Sequence, residues 1–449
     1  MKYRVCFAVA GLVSFVSPGF SQAPLLPEQI FPELQPILTA ALQQSPRMIE
    51  RNLDLESAAG DLMQSKWGLY PFVNASLTET QTRDKREDIA ETLATEKLYY
   101  AFGVSQPIFY WGDRKNTAKI GEIRHKLALR QYGQAYGALA QEIRVNYLRL
   151  VVQKAQLQAI VYSQQQTELA LKLAEDKLRT RAIAEAEIFH PRIAVQQAIL
   201  DTDRMREAFT ESKRAFRLLT GAPAPADEAI PNGVGRIAMG TGEADRLLAG
   251  FLSQPEPKTF AMEAAKSQLE IERLNYKISR NALRPKFDVV LGISQDQQSY
   301  STNIAAKYGV QSSYIGIAGR WTIFDGFASR GATKSTYARL RKLETSYKQL
   351  TDNLGTDAQR AVRQLTYAER QLAIQEQLLD SATNFLQDRK DTFARGAIAE
   401  TDVAAVQTIY NREILTTLQL RSEYLIKFSD FLALIMQDPA LNYVPAQFR

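Results

Sequence analysis

The sequence predicts a mainly α-helical protein with a small β part, written twice in one chain. Three observations carry this reading. Leu98 to Asp113 and Tyr314 to Gly326 both alternate apolar with small or polar residues, then run directly into helical patterns. Helical periodicity then continues almost unbroken from Asp113 to about Arg179, and again from about Ser329 to Phe393. Short landmarks recur at nearly constant spacing: Pro71 with Pro285 (285 − 71 = 214), and Ala182-Ile183-Ala184-Glu185 with Ala397-Ile398-Ala399-Glu400 (397 − 182 = 215). Pro107-Ile108-Phe109 also answers to Thr322-Ile323-Phe324.

The chain opens like an export signal. Lys2 and Arg4 precede an apolar core from Val5 to Val16, and small residues follow. Residues 1–21 are expected to be removed after Ser21, with Gly19 and Ser21 at the small positions; cleavage after Ala23 would leave Pro24 at the new terminus. The apolar core is shorter than the ~20 residues a spanning helix needs. Cys6, the one cysteine in the sequence, lies inside this segment. The mature chain therefore has no disulfide, no thiol nucleophile and no cysteine metal site. No later stretch is apolar enough for a transmembrane helix, so a membrane crossing would have to use strands. Lys and Arg number 55 against 49 Asp and Glu. They are scattered along helices rather than blocked, which argues for solvated faces and against nucleic acid.

After the signal, residues 22–220 form the first repeat. A Pro-rich lead from Pro24 to Pro36 reads as extended. A helical stretch from Leu38 to Lys66, broken at Ser45-Pro46, stops at Pro71. Phe72 to Thr80 alternates, and a polar loop from Gln81 to Lys97 joins it to the strand at Leu98 as a hairpin. Ile143, Tyr147, Leu150, Leu157 and Val161 make a coiled-coil-like seam on the long helix, roughly 100 Å in length at 1.5 Å per residue. A tight turn over Arg181 to Glu187 leads to a returning helix. Residues 221–257, rich in Gly, Pro and Ala, read as a linker with a short helix at Glu243 to Leu252. Residues 258–436 repeat the order: helix, strand from Phe287, polar loop from Gln295 to Ser312, strand, long helix, turn, helix. Residues 437–449 are a tail.

Four strands with one apolar face cannot close a barrel alone, and open edges are not tolerated in lipid. Two chains would give eight strands; three would give twelve and a lumen. The opposite strand face carries Asn74, Ser76, Thr78, Ser105, Asp288, Ser294, Arg320 and Thr322, which suit a wet interior. Aromatics near the strand ends, such as Tyr99, Phe109, Trp111, Trp321 and Phe324, suit an interfacial girdle. A soluble sandwich would leave helices of ~100 Å unexplained.

These features resemble the TolC-type outer-membrane efflux proteins over nearly the whole mature chain. The resemblance rests on the duplication and on Pro71 and Pro285 before the first strands. It rests also on Gln106-Pro107-Ile108-Phe109, on Trp321-Thr322-Ile323-Phe324-Asp325-Gly326, and on Gly396-Ala397-Ile398 followed by Thr401-Asp402-Val403. It implies a homotrimer: a twelve-stranded transmembrane β-barrel in the outer-membrane lipid, continued by a long α-helical coiled-coil barrel across the periplasm. It further implies an exit duct for a tripartite efflux pump or type I secretion system, with a periplasmic adaptor and an inner-membrane transporter as partners. Asp402 stands where the family often places a gate aspartate, which a ring of carboxylates would make cation-selective. Capping of the returning helix is the other reading of Asp402. Ala405 replaces a second aspartate found in some members. The turns at Ala182, Ile183, Ala184 and Glu185 and at Gly396, Ala397, Ile398, Ala399 and Glu400 are the expected adaptor-docking tips, or else plain surface turns. The cysteine of lipidated members is missing.

Nothing in the sequence points to an enzyme or a cofactor. His125 lies on a helix with no acidic or second His partner at ligand spacing, and His190, just before Pro191, reads as a local helix irregularity. Gly233-Val234-Gly235 follows no strand and is linker. Asp388 and Asp391 are helix-surface charges. The competing class is an exported structural or adhesive coiled-coil protein without channel activity.

Overall fold

The computed structural model describes residues 26–85, 93–237, 242–299 and 307–448; the expected export signal lies outside them. In chain order the elements are α1 (Pro27–Ile30), α2 (Leu34–Gln44), α3 (Pro46–Lys66), β1 (Phe72–Asp84) and β2 (Leu93–Phe109). Next come α4 (Asp113–Arg179), α5 (Phe189–Thr220), α6 (Glu243–Leu252) and α7 (Phe260–Arg280). The chain closes with β3 (Lys286–Ser299), β4 (Lys307–Arg320), α8 (Ala328–Ala394) and α9 (Glu400–Leu434).

The duplication is written in the backbone. Helices α4 and α8 each have 67 residues, and α3 and α7 each have 21. Residues with positive φ recur in pairs: Trp111 with Gly326, Gly112 with Phe327, Arg181 with Gly396, Gly221 with Met436. Each pair is 215 residues apart (for example 326 − 111). These left-handed residues mark the two strand-to-helix turns, the two hairpin tips and the ends of the two returning helices.

Among the described residues the strands form one antiparallel sheet in the order β1-β2-β3-β4, so β1 and β4 are its edges. A bulge at Ile108 shifts the β2–β3 register. The strands reach further into the expected polar loops than alternation suggested, because backbone pairing in Thr80–Asp84 with Leu93–Lys97, and in Gln295–Ser299 with Lys307–Gln311, needs no apolar face. β4 instead stops earlier than expected at its C-terminal end. It ends at Arg320 opposite Lys286. The next partner would be Pro285, which has no N–H to donate.

The main core lies around the middle of α4. Tyr136, Leu139, Ile143, Tyr147 and Leu150 are fully buried against α2, α5, α8 and α9. From Leu26 on, the Pro-rich lead is not extended as expected: Leu26 and Phe31, which flank α1, and Leu34, the first residue of α2, are buried, because the lead has a core to cover. The C-terminal segment joins them through Ala440, Leu441 and Val444.

Arg144, fully buried, ties both ends together. Its Nε and Nη2 donate to Glu28 at 2.9 and 2.5 Å, and its Nη1 and Nη2 to Asp438 at 2.6 and 2.8 Å. Burial opposes the guanidinium charge, but the hydrogen bonds to Asp438 and Glu28 outweigh it and raise the Arg144 pKa. Such a clamp holds only while all members are present, because an unpaired buried charge costs about 3–5 kcal/mol. Tyr147 donates to Glu33 Oε1 at 2.6 Å, and Tyr136 to the Leu38 carbonyl at 2.9 Å. Burial raises both phenols. Gly221 lets α2 pass: a Cβ there would stand 2.0 Å from the Gln44 carbonyl oxygen.

Candidate functional site

Two regions carry the candidate site, the sheet and the hairpin tips. The register assembles the sheet faces row by row. Val73, Val104, Leu291 and Ile315 lie side by side, and so do Ala75, Phe102, Ile293 and Ser313. The other face reads Ser76, Ala101, Ser294 and Ser312 in one row and Phe72, Ser105, Val290 and Gly316 in another. Asn74, Ser76, Thr78, Ser105, Asp288, Ser294 and Arg320 all fall on this second face. Thr322 does not join them, since it lies beyond the end of β4. Tyr314 crosses the polar face over Gly292, where a Cβ would meet its hydroxyl at 2.7 Å.

The apolar face has no cover in the single chain. Ile315 is 81% exposed, Leu77 73% and Ile317 71%. Leaving such side chains in water forgoes about 1.5–3 kcal/mol each. No described helix is long and apolar enough to cross a membrane.

At the sheet base, aromatics and cations interleave. Trp111 donates from Nε1 to the Pro285 carbonyl at 2.7 Å, and Trp321 to that of Leu283 at 3.0 Å. The Arg284 guanidinium stacks 4.6 Å from the Trp111 ring centroid. Asp325 accepts from the Ser329 hydroxyl and from its backbone N–H, which holds its carboxyl below the usual range.

The tips are one motif built twice. In the first, Ala182 N–H donates to the Lys177 carbonyl and Arg181 N–H to that of Leu178. In the second, Ala397 N–H donates to Thr392 and Gly396 N–H to Phe393. Both are Schellman closures with the left-handed residue at the first position past the cap. The return from each tip opens with the same reach-back bond, in the first through a 3₁₀ turn over Glu185–Ile188 that leads into α5, in the second at the start of α9 itself. Glu187 Oε1 accepts from Ala184 N–H at 3.2 Å, and Asp402 Oδ2 from Ala399 N–H at 3.3 Å. Asp402 is therefore the reaching-back arm of a helix cap, three residues past the capping position rather than in it. Both tips are solvent-exposed, with Ile183 and Ile398 half-buried.

Sequence reasoning missed Glu187, although the 215-residue spacing maps it onto Asp402. It also missed Arg144, whose partners stand 116 and 294 residues away and leave no local signal. Among the described residues, no group of His, Cys, Asp and Glu could hold a metal ion.

The model of the outer membrane efflux protein family matches residues 37–222 and 256–434, most of the chain. The chain belongs to that family. It is an efflux channel of the outer membrane and not an enzyme. Its long helices, some three times the ~30 Å hydrocarbon thickness, extend away from the sheet. Solved structures share the fold. The CmeC outer membrane channel of Campylobacter jejuni superposes with TM-score 0.70 at 12% identity, covering 100% of this chain and 99% of that one. The outer membrane protein VceC of Vibrio cholerae gives 0.67 at 15%, covering 91% and 97%. CusC, described in its transmembrane channel formation, gives 0.67 at 15%, covering 92% and 98%. No curated protein matches the sequence.

Proposed function

We propose that this channel is the passive exit duct of a tripartite efflux pump or a type I secretion system. The observation that carries the reading is the uncovered apolar face across all four strands, bounded by two open edges. Three copies, each lending four strands, pair β4 of one to β1 of the next and close twelve strands around the polar face. The apolar face then meets outer-membrane lipid, and the Asn74, Ser76 and Ser294 face lines the lumen. The long helices join into a second, α-helical barrel. Residues 1–21 serve as the export signal.

The tips at Ala182–Glu185 and Gly396–Glu400 are the surface offered to a periplasmic adaptor, which links the duct to an inner-membrane transporter. Three Asp402 carboxylates at the narrow end favour cations and help hold the entrance shut. An adhesive coiled-coil protein is the weaker reading, because it gives the apolar sheet face no solvent.

Detergent extraction followed by light scattering tests the assembly. A trimer that needs detergent is expected; a monomer in plain buffer ends the duct reading. Asp402→Ala in a planar bilayer tests the gate, with higher conductance and weaker cation preference expected. Unchanged current would remove the gate and leave the duct standing.

A further inference from the structure

We infer that the junction of sheet and long helices carries a net cationic ring on the polar face, and that this ring draws organic anions through the channel. The inference rests on the trimeric duct, in which the polar face looks inward. Lys286 and Arg320 stand directly opposite each other in the β3–β4 ladder, two residues from Asp288 on the same face. Like charges so placed are destabilising, so sheet stability does not explain them.

Arg114, on the first turn of α4, comes to the same level. Its guanidinium lies 4.6 Å from the ring centroids of both Trp67 and Tyr110. The Lys286 ammonium stands 5.7 Å from the same Tyr110 ring. Tyr110 in turn donates to Asp288 at 3.0 Å, which fixes its ring on the polar side. Arg114 Nε is buried without an acceptor. Tyr110, Asn281 and Ser329 are neutral donors, so Asp288, Asp113 and Asp325 keep their charges. Of the three, Asp288 shares the strand face of Lys286 and Arg320, one negative charge there against the positive charges of Lys286, Arg320 and Arg114. Among the described residues, no carboxylate pairs with Arg114, Lys286 or Arg320.

Threefold assembly brings three such clusters to one level of the lumen. Rings of Arg and Lys select anions as rings of Asp select cations. The guanidinium and ammonium groups fit a carboxylate, phosphate or sulfonate, and Trp67, 52% exposed beyond its stack on Arg114, offers apolar surface beside them. The acidic tip at Asp402 is one long helix away, ~100 Å, while the Debye length is about 10 Å at 0.1 M salt. The two rings therefore act independently.

The test is the reversal potential of the full chain in a planar bilayer under a KCl gradient. Arg320→Gln, an exposed change at a strand end, should raise the K⁺/Cl⁻ permeability ratio. Adding Lys286→Gln and Arg114→Gln should raise it about three-fold or more in all. Benzoate should block the wild-type Cl⁻ current, and Arg114→Gln should weaken that block. A conducting Arg320→Gln channel with an unmoved reversal potential overturns the ring and leaves the duct intact. A wild-type current indifferent to benzoate overturns the choice of organic anions. A protein that forms no pore overturns duct and ring together.

Discussion

The first and second repeats make the same turns with opposite residues. Where the first uses Trp111 and Arg181 in left-handed conformation, the second has Gly326 and Gly396; where the first has Gly112 and Gly221, the second has Phe327 and Met436. Every pair holds one glycine and one residue that pays about 1–2 kcal/mol for the same φ. The hydrogen bonds at the two tips are nonetheless the same. The backbone route is thus set by helix length and packing, and glycine only eases it. Side chains diverge freely around that route. Arg144 is a buried clamp, whereas Gln359, its counterpart 215 residues on, is exposed.

Paired substitutions sharpen this contrast, measured as denaturant midpoints of the detergent-solubilised protein. The largest difference is expected between Arg144→Met and Gln359→Met. The first leaves Glu28 and Asp438 buried without a cation and should cost about 3–5 kcal/mol. The second should stay within about 0.5 kcal/mol. Next comes Gly221→Ala, which adds a Cβ 2.0 Å from the Gln44 carbonyl to the left-handed strain. It should cost about 2–3 kcal/mol. Gly396→Ala meets nothing within 4 Å, so strain alone remains, at about 1 kcal/mol. The reverse change at the other tip, Arg181→Gly, should be neutral or stabilising by under about 1 kcal/mol. Smallest are Glu187→Ala and Asp402→Ala, which each remove one reach-back hydrogen bond and should lose about 0.5–1 kcal/mol alike. A large inequality between these last two would mean that Asp402 does more at its tip than cap a helix.

The long helices were legible because a 3.6-residue period sustained over 67 residues leaves no other reading. The strand centres were legible because Val73 to Leu77 alternates cleanly, and Phe287, Val289, Leu291 and Ile293 keep one apolar face despite Val290 on the other. The strand tips were not: Thr82 and Thr95 pair through backbone groups that every residue shares. Pro24 to Pro36 misled, since prolines that begin short helices resemble prolines that prevent them. The polar-face residues were readable from parity alone, except Thr322, where Pro285 cuts the ladder. Arg114 stayed hidden because its value depends on Trp67 and Tyr110 standing on either side of it, which only the turn at Trp111-Gly112 arranges.

Helices α4 and α8 have the same length to the residue. Deleting one residue from either would lower its tip by about 1.5 Å and swing it about 100° around the axis. The rim would then tilt, and each successive copy would repeat the step. Insertions and deletions in this molecule must therefore come in matched pairs, one per repeat, so the two halves can lengthen or shorten only in concert.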